Sequence, residues 1–167
     1  MNARERQQFE EFMTSRWLGL VRLAFGLTGD RWLAEDLAQT ALVSAYATWW
    51  RVRRADDPDA YVRRILLNAN RTRFRARRVA EHLTAELPDP GTPDPTGARD
   101  DRSALMAAMA ALPAGQRAVV VLRYWLDLTE PQVAAALGCS VGNVKSQAAR
   151  GLAKLRLSPE LAEGELR

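Results

Sequence analysis

At 167 residues the chain has room for one ordinary domain or two small ones, and its 47% apolar content is enough to bury a core. A single cysteine, Cys139, and a single histidine, His82, exclude an internal disulfide and leave no ligand set for zinc. The net charge of +4 lies in two basic blocks, residues 1–81 (15 basic, 10 acidic) and 103–156 (6 and 2), around an acidic stretch at 82–102 (2 and 5), which suits two polyanion-binding surfaces joined by a segment that avoids them.

From Phe9 to Leu27 the residues Phe9, Met13, Trp17, Leu20, Ala24 and Leu27 recur every three or four positions and predict one helix face. Thr28-Gly29-Asp30 closes that helix and opens the next, with Gly29 suited to a left-handed end and Asp30 to a cap. In the second helix Leu33, Leu37, Ala41 and Ser44 or Ala45 face inward, while Glu35, Asp36 and Gln39 share another side. Trp49-Trp50 and a basic break, Arg51-Val52-Arg53-Arg54, end it. A third helix starts at Asp57-Pro58, acid as cap and proline in the first turn, and runs to about Arg78. Its Val62, Ile65, Leu66 and Ala69 can pack. Arg64, Asn68, Arg71, Arg75 and Arg78 follow at spacings of 4, 3, 4 and 3, so they line one face.

Residues 85–100 hold four prolines and two glycines in 16 positions, which forbids a helix and predicts a flexible linker. Helical periodicity returns from about Ser103. Leu105, Met109 and Leu112 form one set, stopped at Pro113, and Val119, Leu122 and Leu126 form another. Next, Thr129 caps a short helix with Glu130 and Pro131 in its first turn and Val133, Ala136 and Leu137 packing. Gly138 supplies a turn and Ser140 caps a longer helix whose buried stripe is Val141, Val144, Ala148, Leu152 and Leu155. Opposite that stripe lie Ser146 and Arg150, with Asn143 and Lys154 beside them and Lys145 on the other flank. This is a helix-turn-helix arrangement, whose second helix fits the DNA major groove. Pattern alone leaves open a plain helical hairpin with a solvated charged face. No strand pattern is present, so the expected fold is all-α, in two small helical domains joined by a flexible linker. No apolar run could span a bilayer, and residues 1–12 are charged rather than leader-like, so a cytoplasmic protein with no membrane insertion is expected.

Three stretches together resemble the extracytoplasmic-function sigma factors of bacterial RNA polymerase, and most nearly an actinobacterial sigma-E-like subgroup. They are Leu27 to Thr40 (LTGDRWLAEDLAQT), Ala60 to Asn68 (AYVRRILLN), and Leu112 to Trp125 (LPAGQRAVVVLRYW) followed by Leu137 to Ser146 (LGCSVGNVKS). The resemblance implies a first domain over 1–81 that binds core polymerase and opens the minus-ten element, a linker over 82–102, a second domain over 103–157 that reads the minus-thirty-five element, and a tail over 158–167. It places contact with the clamp helices of the largest polymerase subunit on Asp36 and Gln39, with Glu35 beside them. Minus-ten recognition falls on Arg51, Arg53 and Arg54 of the loop and on Arg64, Asn68 and Arg71. Minus-thirty-five recognition falls on Asn143, Lys145, Ser146, Gln147, Arg150 and Lys154. Many relatives have arginine where this chain has Gln147, and arginine favours guanine whereas glutamine favours adenine. The tail is too short for the extra C-terminal domain of larger relatives. Partners implied are core RNA polymerase and promoter DNA, with an anti-sigma factor as a third the family allows.

A stand-alone helix-turn-helix regulator is the competing reading, but it needs a sensor pocket or dimer face where this chain puts a basic stripe and an acid cluster. An enzyme is disfavoured, because no phosphate-cradling glycine loop and no metal-ligand set is present. No cofactor is expected.

Overall fold

The computed structural model describes residues 1–83 and 101–162. Helix α1 spans Ala3–Thr28, α2 Arg31–Ala47, α3 Trp49–Val52 and α4 Pro58–Leu83. Then come α5 Asp101–Ala110, α6 Ala114–Val120, a π-helical turn Val121–Trp125, α7 Glu130–Leu137, α8 Val141–Arg156 and α9 Pro159–Ala162. The described residues include no strand, as the periodicity predicts. The expected linker 82–102 lies largely outside them. At its margins α4 continues to Leu83, beyond the expected end near Arg78, and α5 already begins at Asp101.

The helix ends follow local chemistry. Gly29 closes α1 at φ 69°, where a β-carbon would be strained, and the Asp30 carboxylate accepts the Leu33 amide to start α2. The Asp57 side chain accepts the Ala60 amide ahead of α4. α1 begins six residues earlier than the apolar pattern indicates, because Asn2 and Glu5 form a reciprocal capping box.

In the first half α2 lies between α1 and α4. Its Ala34, Ala38, Ala41 and Ala45 are fully buried, and side chains this small let neighbouring helices approach closely. Leu20, Leu23 and Leu27 from α1 and Val62 and Leu66 from α4 complete the core. Trp49 is buried edge-on to Phe9, ring centroids 5.3 Å apart. Trp17, expected inward, is exposed instead, because Leu20, Leu23 and Ala24 already fill the α1 seam; of Ser44 and Ala45, Ala45 takes the core position.

In the second half α6 packs on α8. Gly151 permits this crossing, since a β-carbon there would stand 2.8 Å from Cγ2 of Val120. Val119, Leu122, Val133, Val144 and Leu155 form the core around it. Leu105 and Val141, expected inside, are exposed: Val141 sits in the first turn of α8, before the helix meets α6. After α6 the ladder shifts to i→i+5, the Leu126 amide donating to Val121 O at 3.1 Å. Asp127 then takes φ 53°, unusual for a residue with a β-carbon.

The two halves touch. Gly26 of α1 receives the indole of Trp125: a β-carbon at Gly26 would lie 3.0 Å from that ring. Arg117 on α6 donates to the carbonyls of Met109, Ala110 and Leu112 at the end of α5, and across the boundary to Leu27 O at 3.0 Å.

Candidate nucleic-acid and partner interfaces

The turn between α7 and α8 is built by three caps. Thr129 and Gln132 form a reciprocal capping box, Gly138 takes φ 67° with its amide on Ala134 O, and the Ser140 hydroxyl accepts the Asn143 amide. Val144, Ala148 and Leu155 anchor α8 below, so its opposite face must project. Asn143, Lys145, Ser146, Arg150 and Lys154 are all exposed along that face. Lys145 is partly drawn back, its ammonium 3.7 Å from the Glu130 carboxylate. Gln147, expected among the base-reading residues, is half-buried at the edge of that face. It leans toward α6, its amide nitrogen 3.9 Å from where a β-carbon on Gly115 would stand. This side-on position follows from its place one residue before the buried Ala148.

In the first half, Arg51 and Arg54 are exposed on the loop before α4, and the Arg51 guanidinium stacks 4.8 Å over the Trp50 ring. Arg53 is less free, because it forms an ion pair with Glu5 at 2.8 Å. The Glu5 carboxyl is held below its usual pKa chiefly by its bond to the Asn2 amide, and also by Arg53 and Arg54 nearby. On the far side of the loop Asp59 pairs with Arg16 of α1, and that hydrogen bond raises the guanidinium above its usual range. The loop is thus moored to α1 at both ends.

Arg64, Asn68, Arg71, Arg75 and Arg78 do share one exposed face of α4, as their spacing predicts. Two of them are already engaged. Arg64 donates to Ala135 O and Arg71 to Leu137 O at 3.1 Å, both at the C-terminal end of α7. Nothing in the sequence signals this, since a guanidinium on a backbone carbonyl 66 or 71 residues away leaves no periodic trace.

On α2, Asp36 and Gln39 are exposed, while Glu35 is half-buried and bonded to Arg31 at 3.3 Å. Trp32 and Val43, 78% and 64% exposed, flank the polar pair on the same helix face. Large apolar groups so placed mark a contact surface. Among the described residues no group of His, Cys, Asp and Glu could hold a metal, and no helix is long and apolar enough to cross a membrane.

A helix-turn-helix with a cationic outer face, beside a second helical unit with its own basic stripe, is the arrangement of a protein suited to hold nucleic acid at two surfaces. Residues 15–79 match the family described as Sigma-70 region 2, and residues 102–155 match Sigma-70, region 4. The chain is similar to RNA polymerase sigma-E factor of Streptomyces antibioticus, 43% identical over 149 residues that cover 89% of this chain and 83% of the relative. It is 41% identical to the Streptomyces coelicolor sigma-E factor, with 89% and 84% covered. ECF RNA polymerase sigma factor SigL of Mycobacterium tuberculosis (strain H37Rv) is 30% identical, covering 92% and 87%. In fold it is similar to the sigma factor RpoE of Bartonella quintana, solved with the anti-sigma factor NepR, at a TM-score of 0.77 and 24% identity, covering 94% of this chain and 98% of that one. CnrH, solved with the cytosolic domain of CnrY, follows at TM-score 0.61 and 26% identity, covering 91% and 87%. The chain belongs to the extracytoplasmic-function family of RNA polymerase sigma factors. It acts in promoter recognition with RNA polymerase.

Proposed function

We propose a division of this work in which residues 1–81 bind core polymerase and open the minus-ten element, while 103–157 read the minus-thirty-five element as duplex. Residues 82–102 join the two and 158–167 form a tail. The observation that carries the proposal is the exposed row Asn143, Lys145, Ser146, Arg150 and Lys154 on a helix anchored from beneath. Arg150 and Lys145 match the geometry of guanine, Asn143 that of adenine, and Lys154 at the last turn suits a phosphate. Gln147, half-buried, supports the outer face rather than reading a base.

Asp36 and Gln39, with Trp32 and Val43 around them, suit the clamp helices: a polar pair fixes register within a small apolar patch. Arg51 and Arg54 with Asn68 suit single-strand phosphates and bases once the minus-ten element opens, and Arg53 holds the loop in place through Glu5. The protein works in the cytoplasm, without catalytic chemistry of its own. An anti-sigma factor is a fitting further partner, given that RpoE was solved with the anti-sigma factor NepR and CnrH with the cytosolic domain of CnrY.

The direct test is to mix the protein with core polymerase and score promoter-specific initiation; core enzyme that stays promoter-blind would refute the proposal. Two variant sets refine it. Arg150→Ala is expected to cost about 1–3 kcal/mol and relax preference at one base pair of the minus-thirty-five element, while Lys154→Ala weakens all sequences about equally. Competition binding against single-base-pair variants distinguishes the two patterns. Asp36→Arg with Gln39→Ala should lower affinity for core polymerase by roughly tenfold or more, with helix content by circular dichroism unchanged.

A further inference from the structure

We propose that Glu130 is a positioning residue for minus-thirty-five selectivity: its carboxylate holds the Lys145 ammonium back from the DNA phosphates and leaves it to a base edge. The proposal deepens the assignment of the outer face of α8 to the minus-thirty-five duplex and rests on it.

The fold imposes this pair. Thr129 and Gln132 cap the start of α7, which fixes the backbone from which Glu130 departs, and the positive end of the helix dipole favours an acid there. Val133, one turn beyond Glu130, and Val144, directly before Lys145, are both fully buried. The Cys139 amide ties the turn between the helices back to Ala134 O at 3.1 Å. With both helices anchored, the Glu130 carboxylate stands 3.7 Å from the Lys145 ammonium across the helix-turn-helix. Its side chain is 33% exposed against 65% for Lys145, so the acid is the more confined member and the lysine the one that can move.

So exposed a pair adds little to stability. Its consequence lies in what Lys145 can do on DNA. Lysine is a point charge on a flexible stem, and left to itself it goes to the nearest phosphate, which carries no sequence information. A carboxylate beside it changes that choice. The ammonium has three N–H donors, so it can stay near Glu130 and still donate to O6 or N7 of guanine, which are neutral acceptors. A phosphate oxygen brings a full negative charge against the carboxylate and is repelled. Glu130 thus penalises the contact that every sequence offers and spares the one that only a guanine offers. Arg150 and Lys154, on the same face, have no carboxylate within ion-pair reach among the described residues. They keep their full attraction for DNA while Lys145 is restrained.

The test uses the full chain bound to core polymerase. The probes are a promoter fragment on which this holoenzyme initiates and the same fragment with its minus-thirty-five window randomised. Glu130→Gln keeps the size of the side chain and removes its charge. It is expected to bind the randomised pool up to about fivefold tighter, while the promoter gains less, so the ratio of the two affinities falls. One added phosphate contact should also steepen the slope of log affinity against log salt on the pool by about 0.9, which a mere change of packing would not do. Glu130→Gln combined with Lys145→Gln should return that slope to the wild-type value. Unchanged ratio and slope in Glu130→Gln, with helix content intact, overturn the proposal. A steeper slope that persists in the double variant overturns it too, because the carboxylate would then repel phosphate directly instead of acting through Lys145. A steeper slope with an unchanged ratio removes the selectivity role and leaves Glu130 a regulator of affinity alone. Arg150→Ala probes the underlying assignment separately. If that variant keeps the wild-type ratio, α8 is not the minus-thirty-five reader; if it lowers the ratio while Glu130→Gln does not, only the role of Glu130 fails.

Discussion

Arg117→Ala is expected to destabilise the protein by about 3 kcal/mol, more than any surface substitution in the second half. Its guanidinium donates to four carbonyls, those of Met109, Ala110, Leu112 and Leu27. Three of those bonds are part-buried, so water cannot simply replace the lost donor. Bonds to a charged donor contribute roughly 1.5–3 kcal/mol each in isolated cases, but several sharing one side chain do not add. Burial lowers the Arg117 pKa, as expected for a cation whose partners are carbonyls. Arginine remains charged at any ordinary pH, so its contribution should not vary across the neutral range. Arg117→Lys should recover less than half the loss, because a single ammonium cannot span carbonyls spread over two helix ends. Urea unfolding followed by circular dichroism gives the comparison. A loss below about 1 kcal/mol for the alanine variant would mean that solvent reaches these carbonyls after all.

Arg117 also shows where the sequence stops being informative. The residue lies inside one of the stretches that carry the family resemblance, yet its partners are backbone atoms, one of them 90 residues away. Contacts of that kind are invisible to periodicity. What was legible is what the chain decides locally. Gly29, Asp30, Asp57, Thr129, Gly138 and Ser140 all cap or turn where their chemistry indicates, because a cap depends on only three or four neighbours. The stripes Leu37–Ala41–Ala45 and Val144–Ala148–Leu155 are buried as their spacing requires. Misjudged residues sit at the edges of such stripes. Trp17, Leu105 and Val141 have the right period but remain exposed.

The candidate sites divide the same way. The outer face of α8 was readable because the buried face fixes it by exclusion. Gln147 stands on the flank of that face, next to the buried Ala148, where the sequence alone does not fix how far the side chain is covered by α6. Arg64 and Arg71 were correctly placed on one exposed line, but their engagement with α7 depends on how two separately patterned halves meet. The apolar flanks Trp32 and Val43 were readable in principle: they fall on the same side of α2 as Asp36 and Gln39, eleven residues apart, which is three helical turns.

Gly151→Leu should be at least as damaging as Arg117→Ala, at about 3 kcal/mol, and it bears directly on how the reading helix is held. A β-carbon at Gly151 would stand 2.8 Å from Cγ2 of Val120 and 3.6 Å from Gln116. Val120 is β-branched and buried, so its methyl cannot swing aside as the end of a long side chain could. The helices must therefore separate, and α8 would lose its seat on α6 while its outer face remained chemically intact. Gly151→Ala isolates the effect. In an unhindered helix it would gain up to about 1 kcal/mol from reduced backbone freedom, so any net loss measures the clash. Overpacking of this kind typically costs about 1–3 kcal/mol. Shrinking the opposing residue should then reverse the sign. Val120→Ala alone leaves a cavity and destabilises, but combined with Gly151→Ala it removes the obstructing methyl and fills part of the space. The double variant is expected to be more stable than the sum of the singles by about 1 kcal/mol or more. Additive losses would show that the crossing is loose enough to absorb a methyl group, and that the seat of α8 is set elsewhere.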